Sequence, residues 1–275
     1  VTSESGAPWA AASAYRCFED ALKKMTMDGG QRTATSDGAM LADPATLGNL
    51  DGVYAPSDIF VPAFWAARGA LHDVSQGRGA AWFVGFEPHQ WVLRHYRRGG
   101  FIARFAEDRY VWTGEERVRS FAEWRLLQVL ANRGLPVPAP VAARYRRQGI
   151  FYECDLITRR ISGAETLSST LASGALRSDI WHDIGATIAR FHAVGADHAD
   201  LNAHNILVDG AGVVSVIDFD RGRLRAAGEW TSRNVSRLHR SLLKISREMP
   251  ADRFSNTDWG LFLAGYSTAL RARHS

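Results

Sequence analysis

Two lobes of an α+β fold are predicted: a small antiparallel-sheet lobe with one main helix, then a reduced, mostly helical lobe. Three observations predict it. Strand-like runs parted by glycine turns fill residues 70 to 96, an amphipathic helix follows at about 120 to 133, and a hairpin bracketed by polar residues occupies 198 to 220. The chain has 275 residues, enough for one or two compact units with a real core. Hydrophobic residues make up 46% and charged residues 23%, so the chain is expected to fold rather than stay disordered. The expected divisions are an N-terminal extension over 1–35, a first lobe over 36–157 and a second over 158–275.

In the extension, Ala11, Ala14, Tyr15, Phe18, Ala21, Leu22 and Met25 recur at helical spacing, and Gly29-Gly30 follows, so a helix should stop near Asp28. Residues 38 to 75 are punctuated by proline and glycine. Strands are then expected at 70–74, 80–85 and 90–96. Gly77-Arg78-Gly79 turns the first pair, and Gly77 and Gly79 could aim backbone N–H groups at phosphate oxygens; a plain hairpin turn is the alternative. The next helix carries Phe121, Trp124, Leu127, Val129 and Leu130; Gly134 ends it, and Pro136 and Pro138 forbid its continuation. Residues 150 to 158 read as a strand leading to the second lobe, with the link between the lobes expected around Leu156 to Thr158. Ile180, Ile184, Ile188, Phe191 and His192 mark another helix, closed by Gly195.

The chemistry is concentrated in H-A-D-L-N-A-H-N-I-L-V-D-G-A-G-V-V-S-V-I-D-F-D, residues 198 to 220. It has the form H-x-D-x-x-x-x-N, then two apolar runs turned by Asp209-Gly210-Ala211-Gly212, then an Asp. Phosphoryl transfer from a nucleotide needs a carboxylate to orient the attacking hydroxyl and oxygen ligands that hold Mg²⁺ against the phosphates. Asp200 is the candidate catalytic base, and Asn205 and Asp218 the candidate metal ligands. The hairpin should return Asn205 and Asp218 to one end. His198 is expected to bond backbone near Asp218 and steady the loop.

This stretch resembles the catalytic core of the protein-kinase-like superfamily, with departures. The triplet is Asp218-Phe219-Asp220, a second acid replacing the usual glycine, and no A-P-E follows. Only 57 residues, 219 to 275, come after Asp218, too few for a peptide-gripping subdomain, so no protein substrate is expected. The third strand has no lysine for the nucleotide phosphates. Arg94 stands there instead, and an arginine fork can make the same contact. Its expected helix partner is Glu123, with Glu115 and Glu116 as fallbacks; a solvated pair of Glu123 with Arg119 is the plainer reading.

The segments L-R-H-Y-R-R-G-G (93 to 100), G-L-P-V-P-A-P (134 to 140), H-A-D-L-N-A-H-N (198 to 205) and I-D-F-D-R-G-R (217 to 223) narrow the resemblance. Over about residues 38 to 270 the chain is similar to the 3-deoxy-D-manno-octulosonic acid (Kdo) kinases of lipopolysaccharide synthesis. That resemblance implies ATP and Mg²⁺ as cofactors. It also implies phosphorylation of the 4-hydroxyl of Kdo on a lipid A precursor, at the cytoplasmic face of the inner membrane. Neighbouring readings are a lipopolysaccharide heptose kinase, an aminoglycoside-type phosphotransferase or a non-catalytic nucleotide-binding module. The last would be expected to lose Asp200, Asn205 or Asp218, and all three are present.

Charge adds a partner. The formal net charge is +4, and all the cations except Lys23, Lys24 and Lys244 are arginine. In a helix predicted over 230–249, Arg233, Arg237, Arg240, Lys244 and Arg247 fall within an arc of about 80°, while Val235, Leu238, Leu242, Ile245 and Met249 take the opposite arc. An acid-free stripe of this kind suits an anionic lipid or sugar. Nucleic acid is not expected, because no aromatic residues interleave with the stripe. Two cysteines, Cys17 and Cys154, without metal-site spacing fit a reducing compartment. No stretch approaches the ~18 to 20 apolar residues that span a bilayer, and the first residues lack a signal-peptide pattern. The expectation is therefore a cytoplasmic chain that meets the membrane peripherally.

Overall fold

The structure is a computed structural model, and it describes residues 30–44, 56–75, 81–86, 89–97, 109–250 and 253–272. The helix expected before Asp28, together with Gly77 and Gly79, lies outside these residues. Among the described residues, eight strands form one antiparallel sheet: β1 (Gln31–Ala34), β2 (Gly38–Ala42), β3 (Leu71–Ser75), β4 (Ala81–Phe86), β5 (His89–His95), β6 (Tyr110–Val111), β7 (Pro140–Gln148) and β8 (Phe151–Arg159). The order across the sheet is β1-β2-β7-β8-β5-β4-β3, with β6 paired to β8. The three strands predicted between 70 and 96 are β3 to β5. β1, which falls in the stretch assigned to the extension, pairs with β2 at the sheet edge.

Successive residues of a strand face opposite sides, and here both sides are covered. Helix α1 (Pro62–Ala66) places Trp65 against Met40, Leu93 and Ile157 on one face. Helix α2 (Arg119–Asn132) packs Phe121, Trp124, Leu127 and Leu130 near Leu41, Cys154 and Leu156 on the other. Burial on both faces explains why β8 stays buried from Cys154 to Thr158 instead of alternating, with the one charge there, Asp155, bonded to His95 and Arg144. The same parity sets the site. Tyr96 belongs to the α2 cluster, so Arg94 shares its side, whereas His95 turns away to meet Asp155 at 2.7 Å.

Between Leu156 and Thr158, β8 is flanked by β5 and by β7. Backbone groups there are committed to the sheet, so the link between the lobes expected at those residues is corrected. The chain leaves the sheet afterwards, through residues 160–163.

The second lobe contains β9 (Ala164–Thr166), α3 (Leu167–Ser173), α4 (Ile180–Ala193), β10 (Ala196–Asp197), β11 (Ile206–Asp209), β12 (Val214–Val216), β13 (Arg223–Leu224), α5 (Trp230–Ser246) and α6 (Asn256–Arg271). β11 lies between β12 and β9 in a small sheet, and β10 pairs with β13. α4 and α6 cross closely. A Cβ at Gly185 would stand 2.0 Å from the Phe262 carbonyl oxygen, and one at Gly265 would stand 2.0 Å from that of His182. Only glycine permits that approach. Among the described residues, no helix is long and apolar enough to cross a membrane.

Candidate active site

The loop between β10 and β11 is built around His198. Its Nε2–H donates to the carbonyl of Ile217 at 2.9 Å, and its Nδ1 accepts the backbone N–H of Asp200 at 3.2 Å. One neutral tautomer serves both bonds. Burial holds the pKa of this imidazole below its ordinary value, in keeping with a neutral ring. Asn205 donates its side-chain amide to the Asp200 carbonyl at 2.9 Å, and Asn202 does the same. With its backbone tied from both sides, Asp200 projects a carboxylate that is 65% exposed, open to a substrate.

The hairpin of β11 and β12 closes this arrangement. Ile217 N–H donates to the Asn205 carbonyl at 3.0 Å, which places Asn205 beside the start of the D-F-D triplet. Asp218 adopts a φ of 63°, a left-handed conformation that costs a non-glycine residue about 1 kcal/mol or more. Such a cost persists only when the surroundings hold the residue. Phe219 supplies part of that hold: it is buried, with its ring 4.6 Å from that of His198 and 5.6 Å from that of Phe191.

Arg94 joins the lobes. Its Nη1 donates to Glu123 Oε1 at 2.9 Å, and its Nη2 donates to Asp218 Oδ1 at 2.6 Å. Glu123 is 1% exposed at its side chain and also accepts a hydrogen bond from the Tyr96 hydroxyl. The solvated pairing of Glu123 with Arg119 is therefore not what forms. Burial raises the pKa of Glu123, and nearby Asp218 adds to that, while Arg94 and Tyr96 oppose it. Burial alone would lower the pKa of Arg94, but Glu123 and Asp218 outweigh it and hold it raised, so the guanidinium stays charged. The fallback acids have other partners: Glu115 pairs with Arg32 at 2.7 Å and Glu116 with Arg125 at 2.7 Å.

The oxygen donors suit a hard cation. Asn205 retains its side-chain carbonyl after giving its N–H to Asp200, and Asp218 brings a carboxylate that is 40% exposed. Two protein oxygens leave the remaining positions to phosphate and water, the habit of Mg²⁺ in nucleotide sites.

Sequence reasoning missed three contacts. Tyr96 was not singled out, although it follows Arg94 by two residues and so shares its face. Arg119 grips Asp220, with Nε donating to Oδ1 at 2.8 Å and Nη2 donating to Oδ2. Arg237, from the basic stripe, reaches Asp200 Oδ1 at 3.3 Å.

Of the stripe, Arg233, Arg237, Arg240 and Lys244 lie on α5, which stops at Ser246 short of the expected 249, and Arg247 is its C-cap; all five are exposed. Leu238 and Leu242 are buried on the opposite side. Asn234 donates to Asp197 at 2.9 Å and Ser241 accepts from the backbone of Ala203 at 3.2 Å, so α5 is docked on the loop that carries Asp200.

A sheet lobe and a helical lobe, joined by an ion-paired arginine above a loop of this form, define a kinase-like bilobal phosphotransferase. The chain belongs to the lipopolysaccharide kinase (Kdo/WaaP) family, whose family model matches residues 62–266. It is 50% identical over 196 residues to a 3-deoxy-D-manno-octulosonic acid kinase of Xylella fastidiosa, covering 70% of this chain and 78% of that one. It is 48% identical over 209 residues to the kinase of the same description from Xanthomonas campestris pv. campestris, covering 76% and 81%. A relative of that description from Stenotrophomonas maltophilia is 47% identical over 196 residues, covering 70% and 78%.

Proposed function

We propose that this protein is an ATP-dependent sugar kinase that phosphorylates the 4-hydroxyl of a Kdo residue on a lipid A precursor during lipopolysaccharide biosynthesis. The observation that carries the chemistry is the meeting of Arg94, Asp200, Asn205 and Asp218 at the lobe junction. The acceptor follows from family membership and from relatives about half identical that are described as Kdo kinases.

Asp200 accepts the hydrogen bond of the attacking hydroxyl and orients its oxygen toward the phosphorus. Asn205 and Asp218 would hold Mg²⁺, which would supply positive charge against the phosphates. Arg94 clamps the phosphates with its fork, and Glu123 with Tyr96 fixes the direction of that fork. His198 sets the loop and takes no part in the chemistry.

The acceptor carries acid groups and lipid, and the α5 stripe offers it a cationic track. Arg237 brings the end of that track to Asp200, so an anionic headgroup lying along α5 would deliver its sugar to the base. Such a track supports a peripheral position at the cytoplasmic face of the inner membrane, held by charge.

The position of the new phosphate tests the reading. NMR of the product formed from Mg·ATP and Kdo-bearing lipid A precursor should show phosphorus coupled to the proton at C4 of Kdo. Phosphate on the lipid A glucosamines, or on heptose in a core acceptor in preference to Kdo, would overturn it.

A further inference from the structure

We propose that Asp220 and Arg119 form a charge latch that holds α2, and through it Glu123 and Arg94, in the position used for phosphoryl transfer. The second acid of D-F-D would thus be a positioning residue and not a third metal ligand. The inference rests on the kinase reading above and assigns a role to a residue that the reading leaves unused.

The three side chains of the triplet go three ways. Asp218 reaches Arg94 at 2.6 Å, Phe219 is buried against Phe191 and His198, and Asp220 meets Arg119. The chain bends sharply on both sides of Phe219-Asp220, with φ of 63° at Asp218 and 60° at Arg221. Both carboxylate oxygens of Asp220 are engaged, one by Nε and one by Nη2 of Arg119. A carboxylate already held by two donors of one fork offers a cation little.

The other end of the latch is α2. Arg119 is its first residue, and Glu123 lies four residues on, hence on the same face one turn later. The two acids of one triplet therefore hold two successive turns of one helix. Asp220 does so through Arg119, and Asp218 does so through Arg94 to Glu123. Helix electrostatics agree. A cation in the first turn opposes the helix dipole, and an acid there complements it. Arg119 stands in that first turn with Asp220 against it, so the pair offsets a charge that would otherwise be misplaced.

The arginine is also fixed from the side. Its guanidinium carbon lies 4.7 Å from the centre of the Tyr110 ring and 5.7 Å from that of Tyr96. The side chains of Arg119 and Asp220 are only 17% and 23% exposed, so water and salt screen the pair weakly. A glycine at position 220 could make none of these contacts. Kinases with that glycine commonly set the equivalent helix through a phosphorylated segment after the triplet. Here the clamp is in the triplet itself, which makes the active arrangement constitutive.

The test uses the full chain and the variants Asp220→Asn, Arg119→Gln, Arg119→Lys and the swap Arg119→Asp with Asp220→Arg. Mg·ADP affinity is read by calorimetry without acceptor, and kcat, both KM values and the Mg²⁺ requirement by turnover. The latch predicts that Asp220→Asn and Arg119→Gln weaken Mg·ADP binding alike. Both should lower kcat by roughly 10- to 100-fold, the scale of a misplaced reacting group, with the acceptor KM and Mg²⁺ requirement unchanged. Arg119→Lys should lose less than Arg119→Gln, and a folded swap should recover part of the loss.

A raised Mg²⁺ requirement in Asp220→Asn, with Arg119→Gln like wild type, would make Asp220 a metal ligand and overturn the latch. So would wild-type nucleotide binding and kcat in both single variants. A wild-type chain that bound no Mg·ADP would overturn the kinase reading itself.

Discussion

Arg94 reaches Glu123 and Asp218 together with one planar group, a fixed fork that a lysine lacks. Arg94→Ala should raise the KM for ATP and lower kcat while leaving acceptor binding intact. Arg94→Lys should recover little, because a shorter side chain ending in a point charge cannot copy the planar fork. Steady-state kinetics in each substrate check this, and an unchanged ATP dependence in Arg94→Ala would move the phosphate clamp elsewhere. Asp218→Asn should chiefly remove Mg·ATP binding, as a calorimetric titration would register. The residues that gather here could be named from sequence where the chain itself fixes their spacing. Asp200 and Asn205 sit five apart on one loop, Asp218 at the far end of one hairpin, and Arg94 on a strand of clear alternation. The partners that were missed depend on the whole fold: Arg119 and Asp220 lie 101 residues apart, and Arg237 and Asp200 lie 37 apart.

Among the elements, α5 is the one whose two faces were most legible, since its cations and apolar residues each keep strict helical spacing. Its docking on the catalytic loop was not legible, because Asn234 and Ser241 carry no pattern until Asp197 and Ala203 are beside them. Because Arg237 touches Asp200, the clean test of the stripe replaces Arg240, Lys244 and Arg247 by Gln. At about 1 kcal/mol per cation near an anionic surface, vesicle binding should weaken about 100-fold. Wild-type binding should also fade with added salt over the ~8 Å Debye length at physiological strength. Co-sedimentation across a salt series reads both, and binding that ignores salt and the three substitutions would leave the stripe an ordinary solvated face. Other elements gave weaker signals. β1 is four exposed residues without alternation, and β7 starts on Pro140 and closes on the polar run Arg146-Arg147-Gln148. α6 did carry a signal that was passed over, a capping box from Ser255 to Asp258.

For the whole molecule, acid stability has a definite sign. His192 is buried where α4 meets α5 and α6, bonded through Nδ1 to the Tyr266 hydroxyl at 2.7 Å and packed edge-on to Trp230. Burial is the main cause that pushes its pKa from 6.5 down to about 4. Above pH 6.5 the folded and unfolded chains are both neutral at this site, and its stability contribution is fully present. As pH falls below 6.5 the unfolded chain takes up a proton that the folded chain refuses, so stability drops until about pH 4. At about 1.4 kcal/mol per pKa unit the loss is roughly 3 kcal/mol. Denaturant midpoints between pH 7 and pH 4 should decline accordingly, and His192→Gln should flatten that part of the curve; an equal decline in the variant would assign it to other groups.

The two-lobed arrangement could be read from sequence because local patterns specify each lobe. The sheet order could not, because β7 inserts between β2 and β8 after a long excursion of chain. Transfer of labelled γ-phosphate from ATP is the decisive assay of the proposed kinase activity. The acceptors are a Kdo-bearing lipid A precursor, a heptose-containing core and an aminoglycoside, each offered to the wild-type chain and to Asp200→Ala. Label should appear on the Kdo acceptor in preference to the others, depend on Mg²⁺, and fall by about 10²-fold or more in Asp200→Ala. No transfer to the Kdo acceptor, or transfer by Asp200→Ala at the wild-type rate, would contradict the account.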